Sequence, residues 1–239
     1  MVLKKEEIEW LNSFYEKVEG KLAKTSLEIG VKFPYTTKEG KYEEFTRRGD
    51  IGTWTSGFWV GIMWKAYNAS GKKQYLDIVE ECTKVLSCVL DNSERVTHDI
   101  GFLILLSAVA GFRLTENEEF KKFGIHGAAY LAGRFNPTTK NIIANNYSGN
   151  MVIIDTMMNI PLLFWARAVT GLTSYSDIAV LHAERTMQTH IREDGSVNHQ
   201  VSFDGKTGEV IKVTRGQGYS EDSSWSRGQA WALYGFTLV

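Results

Sequence analysis

The apolar positions of this chain recur with helical periods, and the periods are of two kinds. In residues 4–27 the apolar side chains Ile8, Leu11, Phe14, Tyr15, Val18 and Leu22 fall at three–four spacing and leave a polar face. Residues 72–90, 118–134 and 175–191 read the same way, the last with Ile178, Leu181, His182, Arg185 and Met187 mixed. Other segments are apolar nearly all round. Residues 56–69 carry Phe58, Trp59, Val60, Ile62, Met63, Trp64 and Tyr67, and residues 99–114 carry Ile100, Phe102, Leu103, Ile104, Leu105, Leu106 and Val109. Residues 156–169 and 227–238 complete this second set. A one-sided helix belongs on the outside of a domain and an all-round apolar one inside.

The pattern therefore predicts an alternation of outer and inner helices, repeating about every 45 to 70 residues, longer than most solenoid periods. Hairpins with one helix facing inward build either a superhelical solenoid or a closed α/α toroid. The long connections before inner helices, residues 136–154 and 195–224, favour the toroid, because such loops can line one mouth. Residues 33–52 read as a polar connection. Residues 196–202 and 208–213 alternate like a small β-hairpin, with Asp204-Gly205 near its turn.

Composition narrows the function classes. With 43% hydrophobic and 23% charged residues, a chain of 239 residues can bury one sizeable core. A net charge of −1 without a basic block argues against a nucleic-acid surface. The start mixes both charge signs, unlike a signal peptide, and no stretch approaches the ~20 apolar residues that span a bilayer. Cys82 and Cys88 share a predicted helix and stand about 9 Å apart along its axis, beyond the ~7 Å reach of a disulfide. They read as buried thiols in a reducing, cytoplasmic setting. No CxxC or HExxH motif signals a metal.

The candidate chemistry gathers where inner helices begin. The apolar run 151–154 leads to a lone acid, Asp155, and a helical apolar pattern follows it. A helix start favours the carboxylate, while oily neighbours favour the acid, a combination suited to giving and then taking a proton. The alternative is a plain N-cap, a role Asp often fills. The pattern recurs at Asp99, and the start of 56–69 is dressed by Trp54. In a toroid the inner helices run parallel, which places Asp99 and Asp155 across one cleft rimmed by Trp54, Trp225 and Trp231. Paired acids with an aromatic rim suit a sugar, although each tryptophan is also ordinary core filling. Arg227 at a helix start is unfavourable for the helix dipole and points to an anion nearby: Asp222, a substrate carboxylate, or both.

His-Asp-Ile-Gly-Phe (98–102), Ile-Ile-Asp-Thr-Met-Met-Asn (153–159) and Ser-Arg-Gly-Gln-Ala-Trp-Ala-Leu-Tyr-Gly-Phe (226–236), with Trp-Thr-Ser-Gly-Phe-Trp (54–59), resemble the unsaturated glucuronyl hydrolases of glycoside hydrolase family 88. The resemblance runs in family order from about residue 50 to the end. It implies an all-α fold, an (α/α)6 barrel, forming one catalytic domain over 1–239 with the small hairpin in a loop. It implies a substrate with a 4,5-unsaturated uronic acid at the non-reducing end of a lyase-generated, glycosaminoglycan-type oligosaccharide. Hydration of the vinyl ether would release that sugar, with Asp155 as proton donor and then base, and Asp99 beside it. Trp54, His199, Gln217, Trp225, Arg227 and Trp231 would bind substrate. No metal or organic cofactor, nucleic acid or membrane is implied, and oligomeric state is left open. Two alternatives stand: the related unsaturated rhamnogalacturonyl hydrolases, and a non-catalytic carbohydrate-binding helical protein. The family's barrel has twelve helices against about eight counted here. The expectation is the first part of a longer polypeptide, open and C-shaped, with an apolar seam at Phe58, Trp64, Leu233 and Phe236.

Overall fold

The computed structural model describes residues 3–44, 52–91 and 96–239. Helices dominate, in the predicted order. α1 (Lys5–Ile29) is followed by a short hairpin of β1 (Pro34–Lys38) and β2 (Lys41–Glu44). The connection expected at 33–52 thus contains a hairpin, and its residues 45–51 lie outside the described residues. α2 (Ser56–Ser70) pairs with α3 (Lys73–Ser87), which ends in a 3-10 turn, Cys88–Asp91. α4 (Ile100–Ile104) passes through a π-helical turn, Leu105–Val109, into α5 (Ala110–Thr115), and α6 (Glu118–Gly133) packs against them. After two short strands, β3 (Phe135–Asn136) and β4 (Asn141–Ile142), come β5 (Met151–Ile153), a 3-10 turn at Ile154–Met158 and α7 (Pro161–Thr170). α8 (Thr173–His190), the strands β6 (Gln200–Phe203) and β7 (Val210–Thr214), and α9 (Ser226–Thr237) complete the order.

The outer helices bury single stripes. In α3 these are Tyr75, Ile78, Val79, Cys82 and Leu86; in α6, Phe120, Phe123, Gly124, Gly127, Ala128 and Leu131. α8 buries Ala179, His182, Ala183, Thr186 and His190, a stripe at helical spacing but small and polar, which is why its sequence reads as mixed. The inner helices α2, α4 and α7 supply the centre of the core: Val60, Met63, Trp64, Ile100, Ile104, Leu162 and Leu163. They approach closely because glycines lie at the crossings. A Cβ on Gly101 would stand 2.4 Å from Asn159 Cβ, so α4 meets the turn before α7 only through a bare backbone.

Several expectations are corrected. The helix expected from residue 156 begins at Pro161, at the first helical position, where a missing N–H costs nothing. Asp155 therefore sits in the preceding 3-10 turn. The apolar run before it is a strand, β5, which adds to the expected hairpin to give a sheet in the order β5-β6-β7, antiparallel throughout. Cys82 is buried and its thiol is pushed up to about 12 by desolvation, whereas Cys88, six residues on and so turned off the buried stripe, is exposed; both are free. Of the predicted seam, Phe58 and Leu233 are exposed, at 40% and 73%, and Phe236 is half-buried. Trp64 is not part of it: its indole donates to Ser107 O at 3.0 Å and its ring packs edge-on against Phe120. The stripe Ile8, Leu11, Phe14, Tyr15 and Val18 on α1 is exposed as well. No described helix is long and apolar enough to cross a membrane.

Candidate active site

The sheet creates the site by bringing together residues far apart in sequence. β5 runs antiparallel to β6, with Ile153 opposite Gln200, and Ile154 N–H donates to His199 O at 3.0 Å. Asp155, two residues beyond β5, thereby meets His199, one residue before β6. His199 Nε2 lies 3.3 Å from Asp155 Oδ2. Both side chains are buried, and the two atoms face one another without the alignment of a hydrogen bond. Asp155 caps no helix, so the plain N-cap reading falls away.

The ring of His199 has a fixed tautomer. Gln217 N–H donates to its Nδ1 at 2.9 Å, so the neutral ring carries its proton on Nε2, toward Asp155. Gly216 makes this possible. Its φ of +53° turns the chain inward, and a Cβ there would lie 1.9 Å from Nδ1.

The aromatic residues form one cluster above this pair. Trp225, at the start of α9, packs on His199 with ring centres 4.5 Å apart and on Trp231 at 5.6 Å. Trp231 meets Trp54 at 6.0 Å, and Trp54 and Trp231 both meet Phe102 of α4. The Arg227 guanidinium stands over all three indoles, at 4.3 Å from Trp225, 5.1 Å from Trp231 and 5.6 Å from Trp54. Its Nη2 donates to Gln217 Oε1 at 3.2 Å. Of the two anions expected beside Arg227, Asp222 is not one: no ion pair joins them among the described residues. The guanidinium is exposed and keeps donors free for an anion.

Asp99 precedes α4 and is partly exposed; its carboxylate caps nothing and lies 3.4 Å from Nε2 of buried His98. That ring reaches the element bearing Asp155, since His98 Nδ1 is 2.8 Å from Thr156 Oγ1. The starts of α2, α4 and α9 and the turn before α7 thus converge, and all eight predicted residues belong to this one network of contacts. Sequence reasoning missed His98, Asn159, Arg134 and Arg192. Arg134 pins the loop behind Asp99 by donating to Ile143 O and Val96 O, each at 2.8 Å. Arg192 donates to the carbonyls of Glu221, Asp222 and Ser223 and so holds the segment leading to Trp225. Lone arginines give no periodic signal; His98 and Asn159 stand inside recognised motifs but without a role until their partners are known. Among the described residues no group of three or more His, Cys, Asp or Glu is placed to hold a metal ion.

An imidazole N–H beside a buried carboxyl, under indoles that carry a guanidinium, offers proton transfer, a stacking wall and an anion contact in one place. The family model described as Glycosyl Hydrolase Family 88 matches residues 28–239. The unsaturated glucuronyl hydrolase of Bacillus sp. strain GL1 is 34% identical over 226 residues, covering 92% of this chain and 59% of that protein. The crystal structure of an unsaturated glucuronyl hydrolase specific for heparin superposes with a TM-score of 0.87 at 31% identity, covering 96% of this chain and 62% of that one. A variant of the Streptococcus agalactiae enzyme complexed with dGlcA-GalNAc6S gives 0.73 at 32%, covering 93% and 55%. The chain thus spans about three-fifths of the length of these relatives, and shares with their structures the all-α, α/α-barrel class expected from its helix pattern.

Proposed function

The chain belongs to glycosyl hydrolase family 88, and from that membership we propose that it releases a 4,5-unsaturated uronic acid from the non-reducing end of glycosaminoglycan-type oligosaccharides, with residues 1–239 acting as one catalytic domain. Asp155 gives a proton to C4 of the vinyl ether and positive charge develops at C5. Asp155, now a carboxylate, takes a proton from a water whose oxygen bonds to C5. The net change is addition of one water. The C5 hemiketal then opens at the ring oxygen, and C1, left as an open hemiacetal, loses the remaining sugar. His199 Nε2–H steadies Asp155, Asp99 holds sugar hydroxyls, Trp54, Trp225 and Trp231 take the sugar faces, and Arg227 with Gln217 takes the uronate carboxylate. The heparin-specific relative and the complex with dGlcA-GalNAc6S support a glycosaminoglycan-type substrate. A cytoplasmic location belongs to the same proposal.

The observation that carries this reading is Asp155: a carboxyl 7% exposed, used by no helix cap, with an imidazole Nε2 as its facing partner. Asp155→Asn is expected to lower turnover by at least the ~10²–10⁴ attributed to general acid–base catalysis while substrate binding stays measurable. The readout is loss of the ultraviolet absorbance of the C4–C5 double bond in lyase-generated disaccharides. Near-normal turnover by the variant would sink the assignment; a rhamnogalacturonan-derived disaccharide in the same panel tests the alternative substrate class.

A further inference from the structure

His98 sits between the two acids without facing the cleft. It is 3% exposed, and its backbone N–H is fixed to Ala144 O at 3.0 Å. On one edge, Nε2 lies 3.4 Å from Asp99 Oδ1. On the other, Nδ1 is 2.8 Å from Thr156 Oγ1 and 3.4 Å from Asn159 Nδ2. Thr156 follows Asp155 directly, and the Asn159 amide also reaches the Asp155 carbonyl at 3.4 Å. Asn159 is in turn pressed against the backbone of Gly101, two residues after Asp99.

The hydrogen-bonding roles are set by this ring of partners. An amide N–H can only donate, and a threonine hydroxyl can donate. With Nδ1 accepting from both, a neutral imidazole carries its single proton on Nε2, which faces the Asp99 carboxylate. We propose that His98 is a positioning residue, a bridge that fixes the Asp99 rotamer through Nε2–H and the Asp155 turn through Nδ1, so that the two carboxyls keep one relative placement. The same tautomer occurs at His199, where the Gln217 N–H holds Nδ1 and Nε2–H faces Asp155. Each carboxyl is then met by an imidazole N–H whose other nitrogen is tied to a donor. The proposal rests on Asp155 and Asp99 serving the reaction given above.

Substitution can separate the two edges of the ring. In His98→Asn the short amide reaches the Nδ1 position and keeps Thr156 but not Asp99. In His98→Gln the longer amide reaches the Nε2 position and keeps Asp99 but not Thr156. His98→Ala loses both. Because sub-ångström placement of reacting groups governs rate, His98→Ala is expected to lower kcat about 10–100-fold with KM within about two-fold, and each amide variant is expected to recover part of that loss. A KM that rises as kcat falls, or an alanine variant with unchanged kcat, overturns the proposal. Imidazole nitrogen NMR of the unmodified protein gives a second reading that needs neither folding of variants nor turnover. It should show His98 protonated at Nε2 with Nδ1 bare, and protonation at Nδ1 alone would overturn the bridge. If the unmodified protein turns over no unsaturated disaccharide, the reaction assigned above fails, while the NMR result still decides the state of His98.

Discussion

His199 shows how much of the site depends on a single backbone turn. Its Nδ1 is held by the Gln217 N–H, and Gly216 supplies both the positive φ and the empty space that let that N–H approach. Gly216→Ala must either move the imidazole, since its Cβ would lie 1.9 Å from Nδ1, or open the turn. Left-handed backbone also costs a residue with a Cβ about 1–2 kcal/mol. The expected outcome is a fall in kcat on the order of 10-fold or more with the fold retained, checked by turnover and far-ultraviolet circular dichroism; an unimpaired alanine variant would show that the tautomer lock is unimportant. At this scale the sequence disclosed the acids, because carboxyls beside apolar runs stand out, and the tryptophans and Arg227, because they crowd the start of one apolar helix. It did not disclose His98. That residue acts through Thr156 and Asn159, whose separation in sequence carries no periodic signal, and a lone histidine beside an apolar run looks like any buried histidine.

Elements were legible where their period was long. Every one of the eight predicted helices is present, and the boundaries moved only where local chemistry overrode the pattern. Pro161 sets the start of α7 and leaves Asp155 in a 3-10 turn. Within 100–115 a π-helical turn interrupts an otherwise continuous helix, where Ser107 O bonds Trp64 of α2 and Ser107 Oγ bonds Leu103 O. Such a wide turn leaves no mark on hydrophobic spacing. The β1–β2 hairpin was missed because its strands are short and rich in Lys, Thr, Tyr and Glu with little apolar alternation. The long segment before α9 owes its course to Arg192, whose fork donates to three successive carbonyls while Nε holds Asn198 Oδ1 at 2.7 Å. A lysine offers one compact ammonium and cannot span that set. Arg192→Lys is therefore expected to speed amide hydrogen exchange across 216–224 and raise KM several-fold, with little change in the helices. Unchanged exchange in that segment would rule out the clamp.

For the whole molecule, the apolar seam was half legible: inner-helix side chains such as Phe58 and Leu233 face out, yet Trp64 is drawn into the core by a hydrogen bond that no hydropathy pattern reports. A second global property comes from α8, which turns two histidines toward the core beside its small alanines and a threonine. His182 accepts the Ile142 N–H on Nδ1 at 3.1 Å, and His190 Nε2 lies 3.4 Å from Val152 O. Burial is the main cause that pushes His182 down to about 3 and His190 down to about 4. Both are therefore neutral in the fold, while in the unfolded chain a histidine takes up a proton below about pH 6.5. The unfolded state then binds more protons, so stability is full above about pH 6.5 and declines as pH falls toward about 4, where His190 begins to charge within the fold and its share of the decline ends. Each histidine contributes a slope of about 1.4 kcal/mol per pH unit over its window. Denaturant unfolding at about pH 5 is expected to give a stability about 2–4 kcal/mol below that at about pH 7. In His190→Gln, which cannot titrate, roughly half of that difference should vanish. Equal stability of the unmodified protein at the two pH values would show that α8 does not hold its histidines neutral.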